Sequence, residues 1–370
     1  MIKFCTPEEL EVLFTSSYIP SLHGNFSFLY LRTWADKNIH LIEQLHSEIQ
    51  RYLKNISADY SVQCHFGKIW QRNIFVNLKL LEENTKSVFL NIDNSNLEKT
   101  AAIIAAGPSL DKSIIELKTN RNNYYIISTD TAYRSLIKQN VIPDIVVSID
   151  GQSISSSHFF SCSKDTQFVF DLCSSPSAVK KVLENNNNIY FINTGHPLSC
   201  LASEGKFFTK INSGSGTVTI AACDFALHAG FSKIKFYGSD FCYSFGKPYT
   251  KGTYLDENFH HSSSMLIPAD NCFTHLMYRT ETKDFSNEKY SYKDLKSPFT
   301  TEILDSYKKT LNDWIKVNNG IFEDDLYERY DGNGQLDIRC TYKDDKKDGL
   351  CESYYEDGQL LEKCTYKDGE

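Results

Sequence analysis

The sequence predicts an α/β protein: a doubly wound, mainly parallel sheet, preceded by a helical segment and followed by a small β-hairpin repeat unit. Three observations carry this. Between residues 99 and 240 short apolar runs alternate with helix-length stretches, the pattern of a parallel sheet covered on both faces. A polar residue or a glycine closes each apolar run on the same side. Near the C-terminus the chain repeats itself, with Leu326 recurring at Leu350 and each matched residue keeping that offset.

Taken in order, residues 1–98 lean to helix, with Leu41, Ile42, Leu45, Ile49, Tyr52 and Leu53 at helical spacing and a second amphipathic stretch over Trp70–Leu78. Residues 99–320 form the main domain. Its strand candidates are Ala101–Ala106, Tyr124–Ser128, Ile145–Ile149, Gln167–Asp171, Ile189–Asn193 and Ile234–Tyr237. Helix candidates between them are Ser113–Leu117, Thr131–Gln139, Ser177–Glu184 and Thr217–Ala229. Residues 241–300 are polar and aromatic and read as a long loop or lid, which in a compact domain is usually functional; a helix follows near Ile303–Val317. Over residues 321–370, Gly334-Gln335-Leu336 and Cys340-Thr341-Tyr342-Lys343-Asp344 return as Gly358-Gln359-Leu360 and Cys364-Thr365-Tyr366-Lys367-Asp368. Turn residues between short aromatic strands make each unit a β-hairpin. The units resemble MORN-variant repeats and read as a cap, or as an element for self-association or protein contacts.

Composition limits the function classes. The chain has 370 residues, 41% hydrophobic and 23% charged, with a net charge of −8. A chain without a basic field is no general nucleic-acid binder. The 11 cysteines include no C-x-x-C pair, so they read as reduced thiols rather than metal ligands. The N-terminus shows no secretory pattern and no run is long enough to cross a bilayer. The expectation is a cytoplasmic protein with no integral membrane segment.

Chemistry is expected where the strands end. The first strand leads into Gly107-Pro108-Ser109-Leu110, the second and third into Asp130 and Asp150, the fourth into Asp171, the fifth into Asn193 and the last into Gly238-Ser239-Asp240. In open α/β sheets ligands bind beyond the carboxyl ends of the strands. Glycine lets backbone approach a ligand, and the next helix presents free N–H groups to an anion. Ser213-Gly214-Ser215 before Val218–Ala229 is a second helix start of that kind, with no Walker-type lysine.

These segments, with Ile127–Ala132, Pro143–Asp150, Ala229-Gly230-Phe231 and Gly238–Tyr243, resemble the motility accessory factor family, which contains flagellin glycosyltransferases using CMP-activated nonulosonic acids. They are also similar to bacterial sialyltransferases with one Rossmann-like domain. The resemblance covers roughly residues 100–252. It implies that the Gly107 turn, with Pro108, Ser109, Leu110, Asp130, Asp150, Ser213, Gly214 and Ser215, holds the nucleotide-sugar donor, and that Tyr243 and Tyr249 bind its phosphate. In the sialyltransferases an asparagine stands where this chain has Asp130, and Cys242 interrupts the Phe-Tyr pair. The family's base is a histidine downstream of the tyrosines, so His260 and His261 are the catalytic candidates, together with Asp240; His275 and His196 are further histidines. The implied enzyme is inverting and metal-independent, needs no cofactor beyond its donor, and modifies a protein acceptor such as flagellin.

The same superfamily includes the archaeal 6-hydroxymethylpterin diphosphokinase. That alternative requires ATP and Mg²⁺, for which Asp130, Asp150 and Asp240 supply carboxylates. A non-catalytic scaffold that binds a nucleotide sugar is the third reading.

Overall fold

The computed structural model describes residues 6, 10–18, 23–24, 26–83, 92–160, 162–185, 189–205, 208–213, 216–280, 282–284, 299–318, 325–330, 336–343, 346–354 and 360–366. The chain divides into two compact units, Met1–Arg72 and Asn73–Glu370.

The first unit is helical, as its sequence predicts. Helix α1 (Leu10–Ser17) and the first part of the long helix α2 (Ile39–Glu83) share a small apolar cluster of Phe14, Ile49 and Tyr52 with Leu10, Tyr18 and Phe28 against it.

In the second unit strands β1 (Thr100–Ile104), β2 (Tyr124–Thr129), β3 (Ile145–Ser148), β4 (Gln167–Asp171), β5 (Ile189–Asn193), β6 (Thr209–Lys210) and β7 (Ile234–Tyr237) form one sheet in the order β6-β5-β4-β3-β2-β1-β7. Each neighbouring pair is parallel. The connecting helices are α3 (Leu110–Thr119), α4 (Asp130–Lys138), α5 (Pro176–Leu183), α6 (Pro197–Gly205) and α7 (Val218–Ala229).

Alternation along the strands sorts side chains to two cores. Ala101, Ile103, Tyr125, Ile127 and Val147 face α7, together with Leu311 and Trp314 of α10 (Glu302–Val317). Ala102, Ile104, Tyr124 and Ile126 face Leu110, Ile114 and Leu117 of α3 and Leu136 of α4. Helix α7 is therefore enclosed, and Thr219–Ala226 are all buried. Its one carboxylate, Asp224, accepts from the Asn212 backbone N–H at 2.7 Å and from Trp314 Nε1 at 3.2 Å.

Some elements depart from the sequence pattern. Strand β6 is two exposed residues, too short and too polar to carry an apolar run. Helix α6 lies where the sequence pattern suggests only a connection. The 241–300 segment holds two helices, α8 (Tyr254–Ser262) and α9 (Ala269–Met277), rather than one loop. Thr253 caps α8 through its hydroxyl, which accepts from Asp256 N.

The repeat region forms a separate four-stranded antiparallel sheet, β10 (Asp325–Tyr330), β11 (Leu336–Lys343), β12 (Lys346–Tyr354) and β13 (Leu360–Tyr366), in chain order. Each repeat supplies one hairpin, and β11 pairs with β12 across the repeats. A short antiparallel pair, β8 (Thr282–Asp284) with β9 (Phe299–Thr301), precedes α10. The turn residues predicted within the hairpins lie outside the described residues.

One polar network on the sheet yields a pH prediction. Glu116 accepts from Lys235 Nζ and from Tyr237 OH, both at 2.8 Å. Burial alone would raise its carboxyl; those hydrogen bonds and the Lys235 charge overcome it and hold it below the ordinary glutamate value. A carboxylate with a depressed folded pKa contributes stability above its unfolded pKa and loses it as pH falls through the folded one. Glu116→Gln should therefore lose less Tm than the parent on acidification through and below the glutamate range. Superimposable acid limbs in thermal melts of the two proteins would refute this.

Candidate active site

The polypeptide reverses its direction of travel across the sheet between β1 and β7. The chain steps from β1 to β6 on one side, then returns through α7 to place β7 on the other side of β1. Such a switch point opens a crevice at the strand ends. Here the two flanking loops are clamped together. Gly107 donates its N–H to Gly238 O at 2.8 Å, and Ser109 donates its N–H to Asp240 Oδ2 at 2.8 Å. The Ser109 hydroxyl also donates to Asp240 Oδ1. Asp240 thus takes the anion position at the head of α3, the place where a free helix N-terminus would receive a ligand. Burial raises its carboxyl, and the two Ser109 bonds pull it back in part.

The loop after β7 folds back onto the same corner. Thr250 N–H donates to Ala106 O at 2.9 Å, and Asp111 on α3 accepts from the Thr250 hydroxyl and from Lys251 N at 3.0 Å. Between these anchors Phe241 and Phe245 both adopt left-handed backbone, at φ 47° and 55°. Bulky side chains rarely sit there, and such strain persists only where the surroundings enforce it. The enforced segment carries Tyr243. Its backbone forms an antiparallel bridge to Phe299, with N–H···O distances of 2.8 and 3.0 Å in the two directions.

The remaining strand-end residues divide into two sets. Asp130 is buried and accepts from Thr131 N and Ser148 Oγ, each at 2.7 Å. Asp171 is buried and accepts from Cys173 N and Thr194 N. Asn193 is buried and accepts from Gly195 N at 2.8 Å. All three are engaged in holding the strand ends: Asp130 also ties to β3, Asp171 also to the loop after β5, and Asn193 staples its own loop. Asp150 differs, being half-buried with Oδ1 accepting from Gln152 N at 2.9 Å. Burial raises its carboxyl and the Asp130 charge adds to that, while the Gln152 bond and His158 act against it.

A series of tyrosines continues from Asp150. Burial raises the Tyr254 phenol, and the Asp150 charge raises it further. Tyr249 is raised first by burial and then by Tyr243 and Tyr254, with Arg279 opposing. Tyr243 is likewise raised by burial and opposed by Arg279. Asp150, Tyr254, Tyr249, Tyr243 and Arg279 therefore follow one another as electrostatic neighbours. Arg279 is exposed and has no acidic partner among the described residues. It follows α9, whose Phe273 and Met277 pack with Tyr243 and Phe299, and Tyr278 stacks on Phe299 at 4.9 Å.

The structure thus brings together Gly107, Ser109 and Asp240 at one corner, while Asp150, Tyr254, Tyr249 and Tyr243 are linked in series by their electrostatic influence on one another. It places the Leu110 side chain in the core, where it is fully buried. Ser213 lies half-buried before α7, and Gly214 and Ser215 lie outside the described residues. His260 and His261 are exposed on α8; His260 pairs with Asp256 of its own helix at 3.4 Å, and neither has a described contact with a strand-end residue. His275 is exposed on α9, and His196 accepts from Leu198 N at the start of α6. Sequence reasoning missed Tyr254, Arg279 and His158. The signal for His158 was its place in the segment directly after the Asp150 strand end.

Residues 72–246 match the family described as 6-hydroxymethylpterin diphosphokinase MptE-like, and residues 326–344 and 347–368 match the MORN repeat variant. Two uncharacterized proteins of Treponema pallidum (strain Nichols) are similar to this chain. One is 37% identical over 138 residues, covering 37% of this chain and 64% of its own length. The other is 35% identical over 144 residues, covering 39% and 49%. The chain thus spans less than two thirds of these relatives. A solved MAf glycosyltransferase from Magnetospirillum magneticum AMB-1 is 15% identical, with 64% of this chain and 33% of that one aligned at a TM-score of 0.44. The switch-point corner and the first tyrosine, Tyr243, fall inside the MptE-like match, whereas Tyr249, Tyr254 and Arg279 lie beyond its end. Among the described residues, no helix is long and apolar enough to cross a membrane.

Proposed function

We propose that the chain is a glycosyltransferase that takes a nucleotide-activated sugar, a CMP-nonulosonic acid, and transfers it with inversion to a protein acceptor such as flagellin. The observation that carries this is the pair Tyr243 and Tyr249 on the loop pinned between the Ser109–Asp240 clamp and the Thr250–Ala106 bond, with the Arg279 charge acting on both. A departing CMP leaves with charge on its phosphate. Phenol O–H groups and a guanidinium set in place before the reaction stabilise that charge without a metal. The resemblance of the Gly107, Ser213 and Tyr243 segments to the motility accessory factor and sialyltransferase families supports the same donor.

The family name of the matched domain favours a second reading, pyrophosphoryl transfer from ATP to a pterin. Its Mg²⁺ would call on Asp130, Asp150 and Asp240. These carboxylates do not fit one ion: Asp130 is engaged by Ser148 and Thr131, and Asp240 by Ser109. Among the described residues no group of three His, Cys, Asp or Glu side chains gathers for a metal.

Thermal shift separates the readings. CMP without metal should raise Tm, and the Tyr243→Phe/Tyr249→Phe double variant should lower transfer on the order of 10²-fold, the scale for losing a donor to a developing charge. Stabilisation only by ATP with Mg²⁺ would overturn the glycosyltransferase. A flagellin of unchanged intact mass after deletion of the gene would remove flagellin as acceptor.

A further inference from the structure

The mechanism still lacks a group to accept the proton of the acceptor hydroxyl. His158 ends the 3₁₀ turn Ser153–His158, which begins three residues after Asp150. It is 7% exposed, and its Nδ1 is buried with no hydrogen-bond partner. Buried polar atoms are almost always paired, and leaving one unpaired is costly, so an orphan at a strand-end cleft asks for a functional reason. The ring meets Tyr254 edge-on with centroids 4.9 Å apart, and the Tyr254 phenol acts electrostatically on Tyr249. Two cations fix the turn through its carbonyls: Lys181 Nζ donates to Ser156 O at 3.2 Å and Arg134 Nη1 to Ser157 O at 3.3 Å. The charged and titratable groups on this turn are therefore Asp150, which holds Gln152 N–H at its start, Tyr254 from α8, Arg134 from α4 and Lys181 from α5.

We propose that His158, rather than His260 or His261, is the general base of the cleft, with Asp150 and Tyr254 as the residues that position it. This rests on the glycosyltransferase reading. The acceptor O–H proton passes to an imidazole nitrogen of His158 while the acceptor oxygen forms its bond to the anomeric carbon. The bond from that carbon to the phosphate oxygen breaks, and its electron pair leaves with CMP toward Tyr243, Tyr249 and Arg279. The proton on His158 then passes to solvent. Imidazole suits the task, since its ordinary pKa lies close to neutral pH. The series would thereby serve the leaving group at one end and the base at the other.

The test uses the full chain, CMP as the binding probe, and CMP-pseudaminic acid with purified flagellin for transfer. His158→Gln should keep the CMP-induced Tm rise and lose transfer by about 10²-fold or more. Added imidazole should restore transfer to His158→Ala at least in part, which a packing role would not allow. His260→Gln and His261→Gln should transfer as the parent does. A His158→Gln enzyme within about threefold of the parent overturns the base and leaves the donor reading standing. A parent that neither gains Tm from CMP nor transfers the sugar overturns the reading, and the base with it. If both His158 variants lose the fold, half-exposed Asp150→Asn decides: a CMP response with transfer down about tenfold or more upholds the assignment, and parental transfer refutes it.

Discussion

Gly107→Ala is expected to cost about 1–3 kcal/mol of stability, the range for overpacking a filled site, and to abolish stabilisation by CMP. The cause is contact, not backbone conformation, because Gly107 is not among the residues with positive φ. A Cβ there would lie 2.4 Å from Asp240 Oδ2, 2.5 Å from Gly238 O and 2.7 Å from Asp240 Cγ. One of these neighbours is main chain and cannot swing aside. Relief requires the β1 and β7 loops to part, and that breaks the Ser109–Asp240 clamp at the switch point. Gly195 makes the control: it sits at φ 103° with nothing within 4 Å of its added Cβ, so alanine there strains only the backbone. Asp240→Ala removes two of the three close contacts, so Gly107→Ala should cost less in that background than alone. Thermal melts with and without CMP read the parent and all four variants. A Gly107→Ala protein with parental Tm and an intact CMP response would show that the corner is not tightly closed.

The corner was legible because a glycine pressed between two loops leaves a motif in the sequence. The same holds for the main strands: β1, β2, β3 and β5 are buried along their whole length, so each appears as an unbroken apolar run. Strand β6 has no such run, and α8 and α9 read as loop because their exposed faces carry Asp, Asn, His and Ser. The site was harder to read for a physical reason. A carboxylate at a strand end can face a ligand or the amides of its own loop, and sequence does not tell these apart. Asp130, Asp171 and Asn193 turned inward to hold the strand ends, while Asp150 stayed at the edge. His158 had only its place after the Asp150 strand end to mark it, because its ring contact with Tyr254 joins it to a helix far along the chain.

Asn77→Leu is expected to cost about 3 kcal/mol, from two carbonyls stranded at about 1–3 kcal/mol each. At roughly 2–4 °C per kcal/mol for a large domain, Tm should fall by about 6–12 °C. Asn73 and Asn77 stand one helical turn apart on α2, both fully buried. Asn77 Nδ2 donates to Leu172 O at 2.9 Å and Ser174 O at 2.8 Å, while Asn73 Nδ2 donates to Gly151 O at 2.9 Å and Cys173 O at 3.0 Å. Four carbonyls of the loops after β3 and β4, which have no ladder partner at the end of a strand, are thus satisfied by two side chains. Leucine keeps the volume and removes the orphaned Asn77 Oδ1, which offsets part of the loss, but the two stranded carbonyls outweigh that gain. Asn77→Asp should be worse still, since it turns a donor pair into a charged acceptor against two acceptors. The loop held by Asn73 starts directly after Asp150, so Asn73→Leu should also lower transfer, whereas Asn77→Leu should act mainly on Tm. The matched domain begins at residue 72, one position before the first of these asparagines. The end of α2 is in this sense part of the strand-end scaffold: it fixes the loop that follows Asp150 and leads to His158. Variants that melt with the parent in thermal scans would refute the clamp.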